Sequence, residues 1–189
     1  TGWFIDRGAT RLVSAAHVLY GAIDVVIIPA RQGPGPGASD EPFGRAEIKP
    51  NQVHVHPEFL RIAATGGVVN GKKVSRETFF GHDLAVITGV TSKHKRWNPW
   101  YIRGMYPGAV DDRRFVRVCG YSAATVDPNR QHSDDGPVHR VEPELLHYDV
   151  LSEKGSSGSP VYQVARGPLW SAGPEDRYFV AGVHVAAFS

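Results

Sequence analysis

Three side chains in this sequence have the types that nucleophilic chemistry needs. Ser157 lies in Gly155-Ser156-Ser157-Gly158-Ser159-Pro160, a turn of the form G-x-S-G-x-P. Gly and Ser crowd into many turns, so the segment taken alone is as well read as a plain loop. Its chemical reading is specific. A serine hydroxyl is a poor nucleophile until a base takes its proton. Flanking glycines let the backbone bend until the N–H groups of Gly155 and Ser157 point at one spot. There they could hold a developing oxyanion, at about 3 kcal/mol per donor. Ser157, rather than Ser156 or Ser159, is the expected nucleophile. His17, in Leu12-Val13-Ser14-Ala15-Ala16-His17-Val18, is the candidate base. Small Ala15 and Ala16 let its turn tuck against a core while the ring stays in a cleft. Asp83, at the mouth of the apolar run Leu84-Ala85-Val86-Ile87, is the candidate that orients the ring. Each has an ordinary alternative: a structural histidine among nine, and a strand-start aspartate.

The chain order His, Asp, Ser resembles that of the chymotrypsin-like serine endopeptidases, and the resemblance covers almost the whole chain. It is carried by Thr1-Gly2-Trp3-Phe4-Ile5, Ser14-Ala15-Ala16-His17, His56-Pro57-Glu58-Phe59, Asp83-Leu84-Ala85-Val86 and the serine turn. The wording Gly155-Ser156-Ser157-Gly158-Ser159-Pro160-Val161, the lack of disulfides and the closing Gly182-Val183-His184 look most like the V8-type, or glutamyl endopeptidase, branch. The family implies two six-stranded antiparallel β-barrels with the catalytic groups in the crevice between them. His17 and Asp83 would come from the first barrel and Ser157 from the second. Carried over, the chemistry is acyl transfer: Ser157 attacks, His17 relays the proton, Asp83 holds the tautomer, and the amides of Gly155 and Ser157 bind the oxyanion.

The same resemblance puts the primary specificity pocket beside Leu151-Ser152-Glu153-Lys154, with Val183 to Ala187 as the opposite wall. Leu151 would stand where trypsin-like members carry a pocket aspartate, which argues against Arg or Lys substrates. His184 matches the histidine that contacts an acidic substrate side chain in glutamyl endopeptidases, and Ser152 matches a hydroxyl that assists it. A buried carboxylate needs donors and preferably a cation, which His184, Ser152 and Lys154 could supply. The expected preference is for Glu at P1, with a small-to-medium apolar pocket and a packed core histidine as alternatives. Ala186-Ala187 would crowd the pocket entrance. Ser156 stands where zymogen-type relatives carry an aspartate that pairs with a freshly cut N-terminus, so activation by that ion pair is not expected. The start at Thr1 without a Met, the short run before His17 and the stop soon after His184 suggest an excerpt. Flanking segments or a removed leader would complete it.

Elements that could position these groups are short. Runs rich in Val, Ile, Phe and Tyr cover Trp3 to Ile5, Arg11 to Ser14, Asp24 to Ile28, Gln52 to Val55, Leu84 to Thr88, Phe115 to Cys119, Pro160 to Val164 and Tyr178 to Val183. With turn residues between them they read as strands. No helical period lasts the ~10 to 12 residues of a clear helix, and only Ala15 to Tyr20 suggests a helical turn. The class is all-β, sandwich or barrel. Arg31 to Pro42 and Asn129 to Pro137 read as exposed loops, and Arg61 to Phe80 as a low-hydrophobicity insertion. The domains expected are an N-terminal barrel over 1–95, a connection over 96–114 and a C-terminal barrel over 115–189.

In the 189-residue chain, 21 basic and 19 acidic residues nearly balance, which does not suggest a nucleic-acid binder. The longest apolar runs, such as Val25 to Ile28, fall far short of the ~18 residues of a membrane helix. Cys119 is the single cysteine, so no intramolecular disulfide is possible; this fits reducing cytosol or a secreted protein that does without disulfides. It reads as a small buried hydrophobe. His54 and His56 alternate on one face as metal ligands might, yet no third ligand is identifiable. Lys93 to Arg96 with Trp97 and Trp100 reads as a solvated basic loop. No cofactor is expected, and the expected partner is a protein or peptide substrate, with other domains of a longer chain as further partners. Two other readings stay open: a catalytically silent protease-fold scaffold, and an HtrA-like protease with an apolar P1 preference.

Overall fold

Apolar side chains in this sequence come in threes and fours, and the strands they form are correspondingly short. The computed structural model describes residues 1–6, 8–35, 37, 39–91, 115–121, 129–152, 154–165 and 177–185. The first part of the chain runs β1 (Trp3–Phe4), β2 (Leu12–Ser14), α1 (Ala16–Leu19), β3 (Val25–Ile27), β4 (Ala46–Ile48), β5 (Val53–Val55), α2 (Pro57–Ala64), β6 (Val68–Val69), β7 (Lys72–Lys73), α3 (Arg76–Gly81) and β8 (Ala85–Ile87). The later part contains β9 (Phe115–Tyr121), β10 (Gln131–Val141), β11 (Leu146–Tyr148), β12 (Pro160–Ala165) and β13 (Arg177–Val183). All pairings among these strands are antiparallel. They make a four-stranded sheet β1-β2-β8-β5, a five-stranded sheet β11-β10-β9-β12-β13, and two-stranded ribbons β3-β4 and β6-β7.

The protein is thus mostly β with few helices, and antiparallel sheet curls into a half-barrel. The sheets of the described residues number four and five strands, not two sets of six. The expected connection over 96–114, the basic stretch Lys93 to Arg96, Trp97 and Trp100 lie outside the described residues.

Each half has its own core. Phe4, Leu12, Ile27, Ile48, Ile87 and Val90 pack together in the first. Val116, Val118, Val138 and Val161 pack in the second. A third cluster joins them: Trp3 and Val13 of the four-stranded sheet meet Val180 of β13, with Val86 and Tyr162 against them. Burying such side chains stabilises by roughly 1.5 to 3 kcal/mol each, so this cluster fixes how the halves meet.

Two expectations are corrected. Asn129 to Pro137 is not a loop, because β10 spans Gln131–Val141. Its polar residues face solvent, and its ladder is completed by β9, from Gln131 opposite Tyr121 to Pro137 opposite Phe115. Burial is left to Gly136 and Val138. Gly136 is required there, since a Cβ would lie 1.5 Å from the Asp149 carbonyl oxygen. The insertion after Arg61 also begins inside a helix. Pro57 starts α2 at its first turn, the His56 ring accepts from the Glu58 N–H at 3.2 Å, and Phe59 and Ile62 are buried. Two apolar anchors over eight residues are too few to register as a helical period. Cys119 is half-buried on β9, and burial holds its thiol above the usual value.

Candidate active site

Beyond β2 the chain cannot stay extended. Ala15 and Ala16 are fully buried, so α1 begins flush against the core formed by Ala16, Phe59 and Ala85. A larger residue at either position would push His17 outward. His17 keeps 38% of its side chain exposed. Asp83 enters from the other side. α3, capped by Ser75 Oγ accepting from Thr78 N at 3.1 Å, ends at Gly81 with His82 as its C-cap, and Asp83 follows with its own N–H bonded to Phe80 O. The Asp83 side chain is fully buried.

Both carboxylate oxygens are used on His17. The His17 backbone N–H donates to Oδ1 at 2.8 Å, and ring Nδ1 lies 2.5 Å from Oδ2. A carboxylate only accepts, so Nδ1 carries the proton and Nε2 is left as the ring's basic nitrogen. Histidine 82, next to Asp83, stacks on His56 with ring centroids 5.1 Å apart. His54 Nε2 pairs with Thr88 Oγ1 at 2.9 Å.

The serine turn is bent as its glycines allow. Gly155 has φ +102° and Gly158 φ +84°, a region that L side chains rarely adopt. A Cβ on Gly158 would lie 1.9 Å from Thr1 O and 2.4 Å from Ser14 Oγ, so only glycine lets the turn approach this closely. Thr1 staples the contact. Its nitrogen donates to Ser157 O at 2.8 Å, and its carbonyl accepts from Ser14 Oγ at 2.6 Å. Thr1 Oγ1 accepts from Tyr121 N and reaches Gly155 O. The turn therefore rests on the end of β2, three residues before His17.

Access separates the three serines. Ser156 and Ser159 are buried and Ser157 is half-buried. Among the described residues, neither the Gly155 nor the Ser157 amide donates to a protein acceptor. The structure thus brings His17 and Asp83 into direct contact and sets the Ser157 turn against the segment carrying His17. It forms no hydrogen bond between Ser157 Oγ and the His17 ring.

Beside the turn is a cavity of about 560 Å³ whose lining includes Ser152, Tyr148, Val183, His184 and Val185. His184 is 4% exposed and tied to the turn: its carbonyl accepts from Gly158 N at 2.8 Å and its N–H donates to Ser159 O at 2.9 Å. Burial, with a smaller contribution from His17, pushes its pKa down to about 4. Ser152 and His184 thus share one cavity. Lys154 does not line it and is exposed. Leu151 is not at its base either; it is 79% exposed, with its N–H held by Asp134 Oδ2 at 2.9 Å. Glu153, Ala186 and Ala187 lie outside the described residues.

Sequence reasoning missed Tyr148, whose hydroxyl lies 2.6 Å from His184 Nδ1, and the Thr1–Ser14 staple. Both contacts join residues far apart in the chain, and nothing in the local sequence signals them. No protein-family model matches the sequence, and no characterised protein is similar enough to place the chain in a family.

Proposed function

We propose that the protein is a serine endopeptidase of the chymotrypsin-like kind, closest to the glutamyl endopeptidase branch, with Ser157, His17 and Asp83 as its catalytic triad. The observation that carries this reading is the two-oxygen grip of buried Asp83 on His17, beside a serine turn whose two amides have no acceptor among the described residues. Ser157 Oγ attacks the scissile carbonyl carbon as its proton passes to His17 Nε2. The tetrahedral oxyanion accepts hydrogen bonds from the Gly155 and Ser157 N–H groups. The leaving amine takes the proton from His17 as the carbon–nitrogen bond breaks. Water, deprotonated by His17 in turn, then hydrolyses the acyl ester and frees Ser157. In this reading the two β halves correspond to the family's two barrels.

The P1 side chain enters the cavity shared by Ser152 and His184, and it is acidic. With Lys154 outside the lining, those two residues are the donors that favour glutamate. Digestion of a peptide library by wild-type protein and by Ser157→Ala, read by mass spectrometry, tests both points. Cleavage after Glu that vanishes in the variant supports the reading. Cleavage unaffected by the substitution, or none by well-folded wild type, defeats it and favours a silent scaffold.

A further inference from the structure

The His184 ring is buried, and two nitrogens of a neutral imidazole play opposite roles: one donates and the other accepts. Which one faces the cavity decides whether the ring attracts or repels a carboxylate. On one side, Nδ1 lies 2.6 Å from Tyr148 Oη. On the other, Nε2 has no protein partner among the described residues, and the ring lines the cavity together with Ser152.

Tyr148 settles the choice through its own proton. It closes β11, which pairs with β10 through Val138 opposite Tyr148, and it packs against the cluster of Val116, Val118, Val138 and Val161. The two rings also meet at a centroid distance of 6.0 Å. Among the described residues His184 Nδ1 is the only hydrogen-bond partner of the Tyr148 hydroxyl. Burial keeps that phenol protonated by raising its pKa well above the usual value. A buried O–H without an acceptor costs about 1 to 3 kcal/mol, so the proton goes to Nδ1.

We infer that Tyr148 is a positioning residue that locks His184 in the neutral tautomer with its proton on Nε2, presenting an N–H donor to the substrate side chain in the cavity. The inference rests on the pocket reading above and adds the group that makes it work. Without the phenol, the ring is free to carry its proton on Nδ1, which would turn a lone pair toward the substrate. The arrangement is a neutral imidazole held by a neutral hydroxyl, so recognition depends on the direction of one N–H bond rather than on a fixed positive charge.

The test uses the full chain with ¹⁵N-labelled histidine, in the Ser157→Ala background so that it does not digest itself. Long-range ¹H–¹⁵N correlations at neutral pH report the tautomer of His184 directly. The Nε2–H pattern is expected, converting to a mixture in Tyr148→Phe. The Nδ1–H or imidazolium pattern in the parent overturns the inference. So does a Tyr148→Phe spectrum unchanged from the parent's. In catalytically active protein, Tyr148→Phe should lower kcat/KM about tenfold more for Glu than for Leu at P1, the size of one charge-assisted hydrogen bond. Equal losses for both substrates would make Tyr148 structural and also overturn it. Failure of the pocket reading looks different: it is a wild-type enzyme with no preference for Glu, whatever the spectrum shows.

Discussion

Two imidazoles near the junction of the halves illustrate what a neighbour does to a histidine. His17 has a carboxylate against Nδ1 and leaves over a third of its side chain exposed. His184 has a phenol against Nδ1 and is almost wholly enclosed. In both, the second-row partner fixes the proton and frees Nε2 for work. The consequence is opposite. A carboxylate stabilises the imidazolium that forms when His17 takes a proton, which suits a base. A phenol in an apolar surround disfavours that charge, which suits a lasting neutral donor. In the proposed reading, the same side chain serves proton transfer at one site and recognition at the other.

This contrast can be broken in order of expected effect. Ser157→Ala should lower kcat by roughly a million-fold while His17 and Asp83 stay paired, because the nucleophile alone is lost. Kinetics with circular dichroism as a folding control check this, and a loss below a hundredfold would remove Ser157 from its role. Asp83→Asn should cost roughly 10⁴ in kcat, since an amide no longer enforces the Nδ1–H tautomer of His17. A loss under tenfold would mean that another group orients the ring.

The next effect is on stability. Folded His184 takes up a second ring proton only below about pH 4, whereas the unfolded chain does so near 6.5. As pH falls from about 6.5 to 4 the unfolded state binds the extra proton, so stability declines across that window and levels off below it. The full drop is of order 3 kcal/mol, read by urea denaturation at several pH values and absent from His184→Leu. An equal drop in that variant would assign the acid sensitivity elsewhere. Smallest is specificity: His184→Ala should reduce cleavage after Glu relative to Leu by roughly tenfold to a hundredfold in kcat/KM. An unchanged ratio would leave His184 as packing.

The candidate site was more legible in the sequence than the fold around it. Ser157 between glycines, and His17 behind two alanines, carry local signatures because their geometry is imposed by immediate neighbours. Strands such as Phe115–Tyr121 show the same legibility through alternation, with Val116 and Val118 inward. β10 shows none, since its partner strand supplies the ladder and its polar residues stay in water. Tyr148 and Thr1 were invisible for a related reason: their roles are contacts made 36 and 156 residues away. Leu151 was misplaced because a position counted back from Ser157 does not reveal which way the strand's neighbour turns. Asp134 holds that backbone so that the side chain faces solvent.

The most direct test is covalent trapping with a fluorophosphonate, followed by peptide mapping. One adduct per molecule, on Ser157, is expected, and it should disappear in a folded His17→Ala variant. An adduct on Ser156 or Ser159, or a wild-type protein that stays folded and unmodified, would contradict it.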